Sequence, residues 1–165
     1  MISFKYEFDE LNDEMTALIE RIEDKQAAHM IIGQTLLNRH RQRFMDEVSP
    51  DGKKWAALSP LTLELRRSPI GILRDTGELM RSIHFKATSD KAEVGTNLNH
   101  PKVMTHQYGA TIKPKSGKSL VIPRSNGANR AVFIKQANIP ARPYIGIGVG
   151  DEQASHDALL GYLEG

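Results

Sequence analysis

Residues 72–83, ILRDTGELMRSI, divide the chain into a helical first half and a strand-rich second half. Asp75 followed three residues later by Glu78 has the form of a capping box, in which one carboxylate caps an amide and the other reaches back. The spacing predicts a short helical turn through Glu78, Leu79 and Met80, with Leu73, Leu79 and Ile83 facing inward. From Ser82 the apolar positions alternate, Ile83, Phe85, Ala87, which predicts a strand. No nucleophile, base or ligand set converges here, so the stretch reads as an element boundary and not as a reactive site.

Upstream, Ile2, Phe4, Tyr6 and Phe8 alternate with polar residues and predict a half-buried strand. Asp9 is placed as an N-cap, and Leu11, Met15, Leu18, Ile19 and Ile22 mark one face of a first helix. A second helix is predicted from about Lys25 to Glu47. Its apolar stripe is Met30, Gly33, Leu37, His40 and Phe44, widened by Leu36. His40 falls on that stripe and reads as a satisfied core histidine. Arg39 and Arg43 lie one turn apart on another face. Ser49-Pro50-Asp51-Gly52 supplies the residues of a type I turn in order and stops this helix. Trp55, the single tryptophan, is expected to anchor the following loop, because a lone indole without neighbouring aromatics is a poor stacking platform. Ser59-Pro60 reads as N-cap and first residue of a short helix ending near Arg67.

Downstream, residues 82–97 read as a hairpin turning at Ser89-Asp90-Lys91. The stretch HPKVMTHQYGATI mixes loop and strand signals. A second hairpin is expected to pair ATIKP with SLVIP around Lys115-Ser116-Gly117-Lys118, and Ala131 to Ile134 to return as a strand. Pro140 and Pro143 predict an extended segment, and Asp151 is placed as the cap of a short C-terminal helix. The fold class expected is α+β, with an N-terminal strand and two helices packed on an antiparallel sheet of hairpins. At 165 residues the chain is one domain, 1–165.

Composition bounds the function. There are no cysteines, hence no disulfide or thiolate metal site, which fits a reducing cytoplasm. No apolar run reaches the roughly 18 residues of a membrane span, and the first residues lack a signal-peptide core. The net charge of +2 hides a partition: residues 1–24 carry −6, residues 151–165 carry −4, and the middle carries +12. Acidic ends and a basic middle suggest docking between copies or onto a polyanion.

Gly117-Lys118-Ser119 ends like a phosphate-binding loop, but Ile112 stands where the first glycine is required. Gly146, Gly148 and Gly150 alternate without the spacing of a dinucleotide fingerprint. His100 and His106 have no acidic companion for a metal. No enzyme, metal or cofactor is expected.

An ordered series of motifs remains. It comprises Phe44 before Ser49-Pro50-Asp51-Gly52 and Trp55; Leu58-Ser59-Pro60 with Thr62; and Ile72-Leu73, Thr76-Gly77, Leu79 and Ser82-Ile83. It continues with Val94-Gly95-Thr96-Asn97, His106-Gln107-Tyr108-Gly109, and Ile139-Pro140-Ala141-Arg142-Pro143-Tyr144-Ile145-Gly146. From about Phe44 to Gly150 the chain resembles the phage virion morphogenesis family, which includes tail-completion proteins of contractile-tailed phages and Mu-like G proteins. It departs at Lys102-Val103-Met104-Thr105, where the family usually has a Tyr-Ala pair before the histidine.

The resemblance implies a structural protein made in the bacterial host cytoplasm and located in the virion, at the head-proximal end of the tail. Its implied partners are other copies of itself in a ring, hexameric by resemblance, together with tail-tube and head-completion proteins. No membrane is involved. The motif residues, among them Pro50, Asp51, Gly52, Trp55, Thr76, Gly77, Leu79, His106, Gly109, Arg142 and Pro143, are expected to be structural.

Candidate contacts for assembly, or for DNA passing non-specifically through the channel, are the cations Arg39, Arg43, Lys53, Lys54, Arg66, Arg67, Lys113, Lys115, Lys118, Arg124 and Arg130. The last five lie in a basic hairpin at about 113–130, expected to be mobile in the free subunit. The alternative function is a basic DNA-binding accessory protein.

Overall fold

The computed structural model describes residues 9–66, 69–123 and 131–164. The strand expected at residues 2–8, together with Arg67, Arg124 and Arg130, lies outside the described residues. The fold is α+β: α1 (Asp9–Glu23), α2 (Lys25–Asp46), α3 (Pro60–Leu65), α4 (Glu78–Arg81), β1 (Ile83–Ala87), β2 (Ala92–Thr96), α5 (Pro101–Tyr108), β3 (Ala110–Ile112), β4 (Leu120–Ile122), β5 (Val132–Ile134), β6 (Ala137–Ile139) and α6 (Asp151–Glu164).

Helix α2 is the spine. Asp24 caps it by accepting from the Ala27 amide at 2.8 Å, and Glu47 ends it in the left-handed region. Its stripe is buried as its spacing requires, at Gly33, Leu36, Leu37, His40 and Phe44, while Met30 is exposed. One side of α2 takes α6, and another takes the β1–β2 hairpin. Gly33 is what lets the hairpin approach: a Cβ there would lie 2.3 Å from the ring of Phe85. β1 and β2 pair antiparallel from Ile83↔Thr96 to Ala87↔Ala92, as their alternation predicts.

The core gathers at the C-terminal end of α2. Leu37, Phe44, Trp55, Ile72, Leu79, Ile83 and Tyr144 form one buried cluster. Phe44 meets Trp55 edge-on at 5.5 Å between centroids and Tyr144 at 5.4 Å, arrangements that suit the ring quadrupoles. Burial pushes the Tyr144 phenol up to about 12.

Ile72, Leu79 and Ile83 point into this cluster and Leu73 packs on its edge, so residues 72–83 hold the two halves together. The capping box, however, does not form. Gly77, at φ 69°, is the N-cap of α4, with no side-chain cap hydrogen bond, and the Glu78 carboxylate instead pairs with Lys102 of α5. With Gly77 at the cap, Glu78 is the first residue of the helix and not the third, so it is out of register to reach back to a cap amide.

Two further expectations are corrected. Residues 101–108 are a helix, α5: Pro101 occupies its first turn and the Nδ1 of His100 accepts from the Lys102 amide at 3.1 Å. The pairing of β3 with β4 around Lys115–Lys118 is also wrong. β3 pairs with β6, Ala110↔Ile139 to Ile112↔Ala137, and β4 pairs with β5, Leu120↔Ile134 to Ile122↔Val132. The β4–β5 pair is therefore nested within the β3–β6 pair, a ribbon whose first arm bulges at residues 113–119 where the second has only residues 135–136. Instead of one sheet there are three two-stranded ones among the described residues.

Candidate functional site

Arginines from α2 hold the glycine-alternating segment 145–150. Arg43 donates to the Gly146 carbonyl at 2.6 Å, Arg39 to the Val149 carbonyl at 2.9 Å, and both pair with Asp151. Asp151 is fully buried and also accepts from the Gly148 amide at 2.9 Å. Burial alone would raise its carboxyl. The hydrogen bond from Arg39, the Gly148 amide and Arg43 overcome that and hold it below the usual carboxylate range.

His40 completes the set. Its Nδ1–H donates to the Leu36 carbonyl at 2.6 Å and its Nε2 accepts from the Gly146 amide at 3.3 Å. Those two bonds fix one neutral tautomer, in keeping with a core histidine. Gly148 is needed for closeness: a Cβ would sit 2.0 Å from the Pro50 carbonyl oxygen, and the neighbouring Val149 amide donates to that same oxygen at 3.0 Å.

The family motifs mark the joints of this assembly. In the turn, the Gly52 amide donates to the Ser49 carbonyl at 2.9 Å, and Asp51 pairs with Lys53. Trp55 is buried and donates Nε1–H to the Pro143 carbonyl at 2.9 Å. Arg142, also buried, donates to the carbonyls of Ala56 and Ala57 at 2.8 and 2.9 Å, and its amide donates to the His106 carbonyl at 2.7 Å. Burial lowers the His106 imidazole, helped by the charges of Arg142 and Lys102. Gly109 closes α5, and Thr76 accepts from the Glu78 amide at 3.4 Å.

Gln107, quoted only as part of a motif, proves central. Its Oε1 accepts from the amides of Tyr144 and Ile145, and its Nε2 donates to the Ile145 carbonyl. Nothing in its spacing distinguishes it. Asp151, read only as a cap, is the buried counter-charge of Arg39 and Arg43; the signal was two cations on the strongly packed helix.

The candidate contact cations therefore divide. Arg43 is buried, and Arg39 is engaged with Asp151 and Val149. Lys54 donates to the Asp46 carbonyl at 2.6 Å, and Arg66 to the Gly71 carbonyl at 2.6 Å. Lys53 is exposed beside Asp51, and Lys113, Lys115 and Lys118 are exposed on the bulge of the ribbon.

Among the described residues no group of three or more His, Asp or Glu is placed to hold a metal, and no helix is long and apolar enough to cross a membrane. What the surface does present is apolar. Every large apolar side chain of α1 is exposed, and the helix buries none of its residues.

The chain belongs to the phage virion morphogenesis family, which it matches over residues 6–164. It is 32% identical over 136 residues to protein G of Escherichia phage Mu, named provisionally as a capsid assembly protein, and the alignment spans 78% of this chain and 73% of that one. No solved structure matches the chain significantly.

Proposed function

We propose that this virion-assembly protein is a tail-completion subunit, which closes into a ring on the head-proximal end of the tail tube and prepares it for joining to the head. Family membership supports the assembly role. The observation that carries the self-associating part is α1: Leu11, Met15, Leu18, Ile19 and Ile22 are all exposed on one amphipathic helix. A surface of this kind is built to be covered.

Sedimentation of the purified protein across concentrations, alone and with tail tubes, tests the reading. A closed oligomer that loosens with salt is expected, because exposed charges are screened beyond about 8–10 Å at physiological ionic strength. A monomer at every concentration, with tubes present, overturns it.

The exposed Lys113, Lys115 and Lys118 favour a second reading, contact with DNA. Duplex binding by the isolated subunit that is lost in Lys115→Glu, with no self-association, would support it.

A further inference from the structure

We propose that α1 of one copy docks on the β4–β5 ribbon of the next, so that subunits join head to tail through two different surfaces. The inference rests on the self-assembly proposed above and names its contact faces.

On α1, Leu11, Met15, Leu18 and Ile22 are spaced four, three and four apart, which aligns them in one seam of the kind helices use to pack on a partner. Their exposures run from 40% to 57%. The helix lies against α2 and α6, with Arg21 donating to the Leu163 carbonyl at 2.7 Å, and neither neighbour covers the seam. Around it, residues 9–23 carry six acids and one arginine, a net charge of −5.

The ribbon is the converse. Val121 and Phe133 are cross-strand partners, so they share a face, and they are 59% and 67% exposed. Leu120, Ile122, Val132 and Ile134 take the other, half-buried face. A two-stranded ribbon is marginal alone, and a cover on its apolar face would secure it. From residue 94 to residue 150 the chain has eight Lys and Arg and no Asp or Glu. Lys113, Lys115 and Lys118 precede β4, and Lys135 follows β5; all four are exposed.

Each face thus combines exposed apolar side chains with charge of a single sign. Pairing α1 with α1, or ribbon with ribbon, would juxtapose like charges. Pairing α1 with ribbon buries both apolar faces and sets acid against base. Both faces are uncovered by the described residues of the same subunit, and their opposite charge makes a second copy the complementary partner. A contact between unlike faces propagates from copy to copy, and forms a ring when the rotation between copies closes.

The cysteine-free chain permits a direct test. Met15→Cys and Val121→Cys are made in separate full-length chains, mixed under conditions where sedimentation shows assembly, and treated with a short bismaleimide. A covalent 15–121 heterodimer is expected, reduced several-fold in high salt. The double variant should give a ladder of linked chains. Because Phe133 is exposed, Phe133→Ala should leave the melting temperature unchanged while weakening association at least tenfold.

Assembly without a 15–121 link, links only between two Met15→Cys chains, or a link within one double-variant chain overturns the inference and leaves the tail-completion reading standing. Failure to assemble with tail tubes present overturns both.

Discussion

Arg43, in the last turn of α2, holds the carboxylate of Asp151 where α6 begins, and the two side chains are 8% and 0% exposed. The pair joins the spine helix to the C-terminal helix. Removing one member of a buried pair leaves the other charge unsatisfied, which typically costs about 3–5 kcal/mol. Asp151→Ala should therefore lower stability by about that amount in denaturant unfolding, whereas Glu152→Ala, one residue on and exposed, should change it by under about 0.5 kcal/mol. Equal midpoints for the two variants would refute the role given to this pair.

Acid should weaken the fold through His40. Burial depresses its imidazole; the Leu36 carbonyl partly offsets this, and the Arg43 charge adds to the depression. The folded protein then binds fewer protons than the unfolded chain as pH falls below the ordinary histidine value of 6.5. Stability is present above that value and is lost as pH falls toward the depressed folded one. His106 acts in the same direction. The unfolding midpoint should decline from pH 7 to pH 5, and His40→Gln should flatten the decline. A midpoint that rises over this range would contradict the neutral tautomer.

Trp55→Ala should cost about 3–5 kcal/mol, the usual result of emptying a large core site. Trp55→Phe retains contact with Phe44 but removes the donor to the Pro143 carbonyl, and should cost about 1–3 kcal/mol. Melting curves that superimpose on the parent's would mean that the indole anchors nothing.

The glycines offer a paired test. Gly148→Ala would drive a methyl group into the Pro50 carbonyl and should destabilise by about 1–3 kcal/mol. Gly161→Ala, in α6 with open space around it, should stabilise by about 0.8–1 kcal/mol. If both changes destabilise equally, the close approach at Pro50 is not what requires Gly148.

Local chemistry made part of this fold legible in the sequence. The Ser49–Gly52 turn, the Ser59-Pro60 helix start, the β1–β2 hairpin and the stripe of α2 each depend on neighbours within a few residues. The failures are non-local. Lys115-Ser116-Gly117-Lys118 is good turn sequence, yet β3 and β4 find partners beyond it. Helix α5 begins with a histidine cap and contains β-branched Val103 and Thr105, so its propensity is weak; its Gln107 and Tyr144 contacts come from 37 or more residues away. The α1 stripe was visible as a helical face, but its exposure followed only from seeing what α2 and α6 cover.

The nesting of the ribbon has a kinetic consequence. β3 and β6 enclose β4 and β5, so the outer pair alone must bring together Ile112 and Ala137 across the whole intervening chain. Once Ile122 and Val132 have met, the outer strands need only close the short remainder on each arm. Loop-closure entropy rises with the logarithm of length, which favours zipping from the inner pair outward. Folding of this region should thus be slowed by substitutions in β4 or β5, while substitutions in β3 or β6 should chiefly hasten its unfolding.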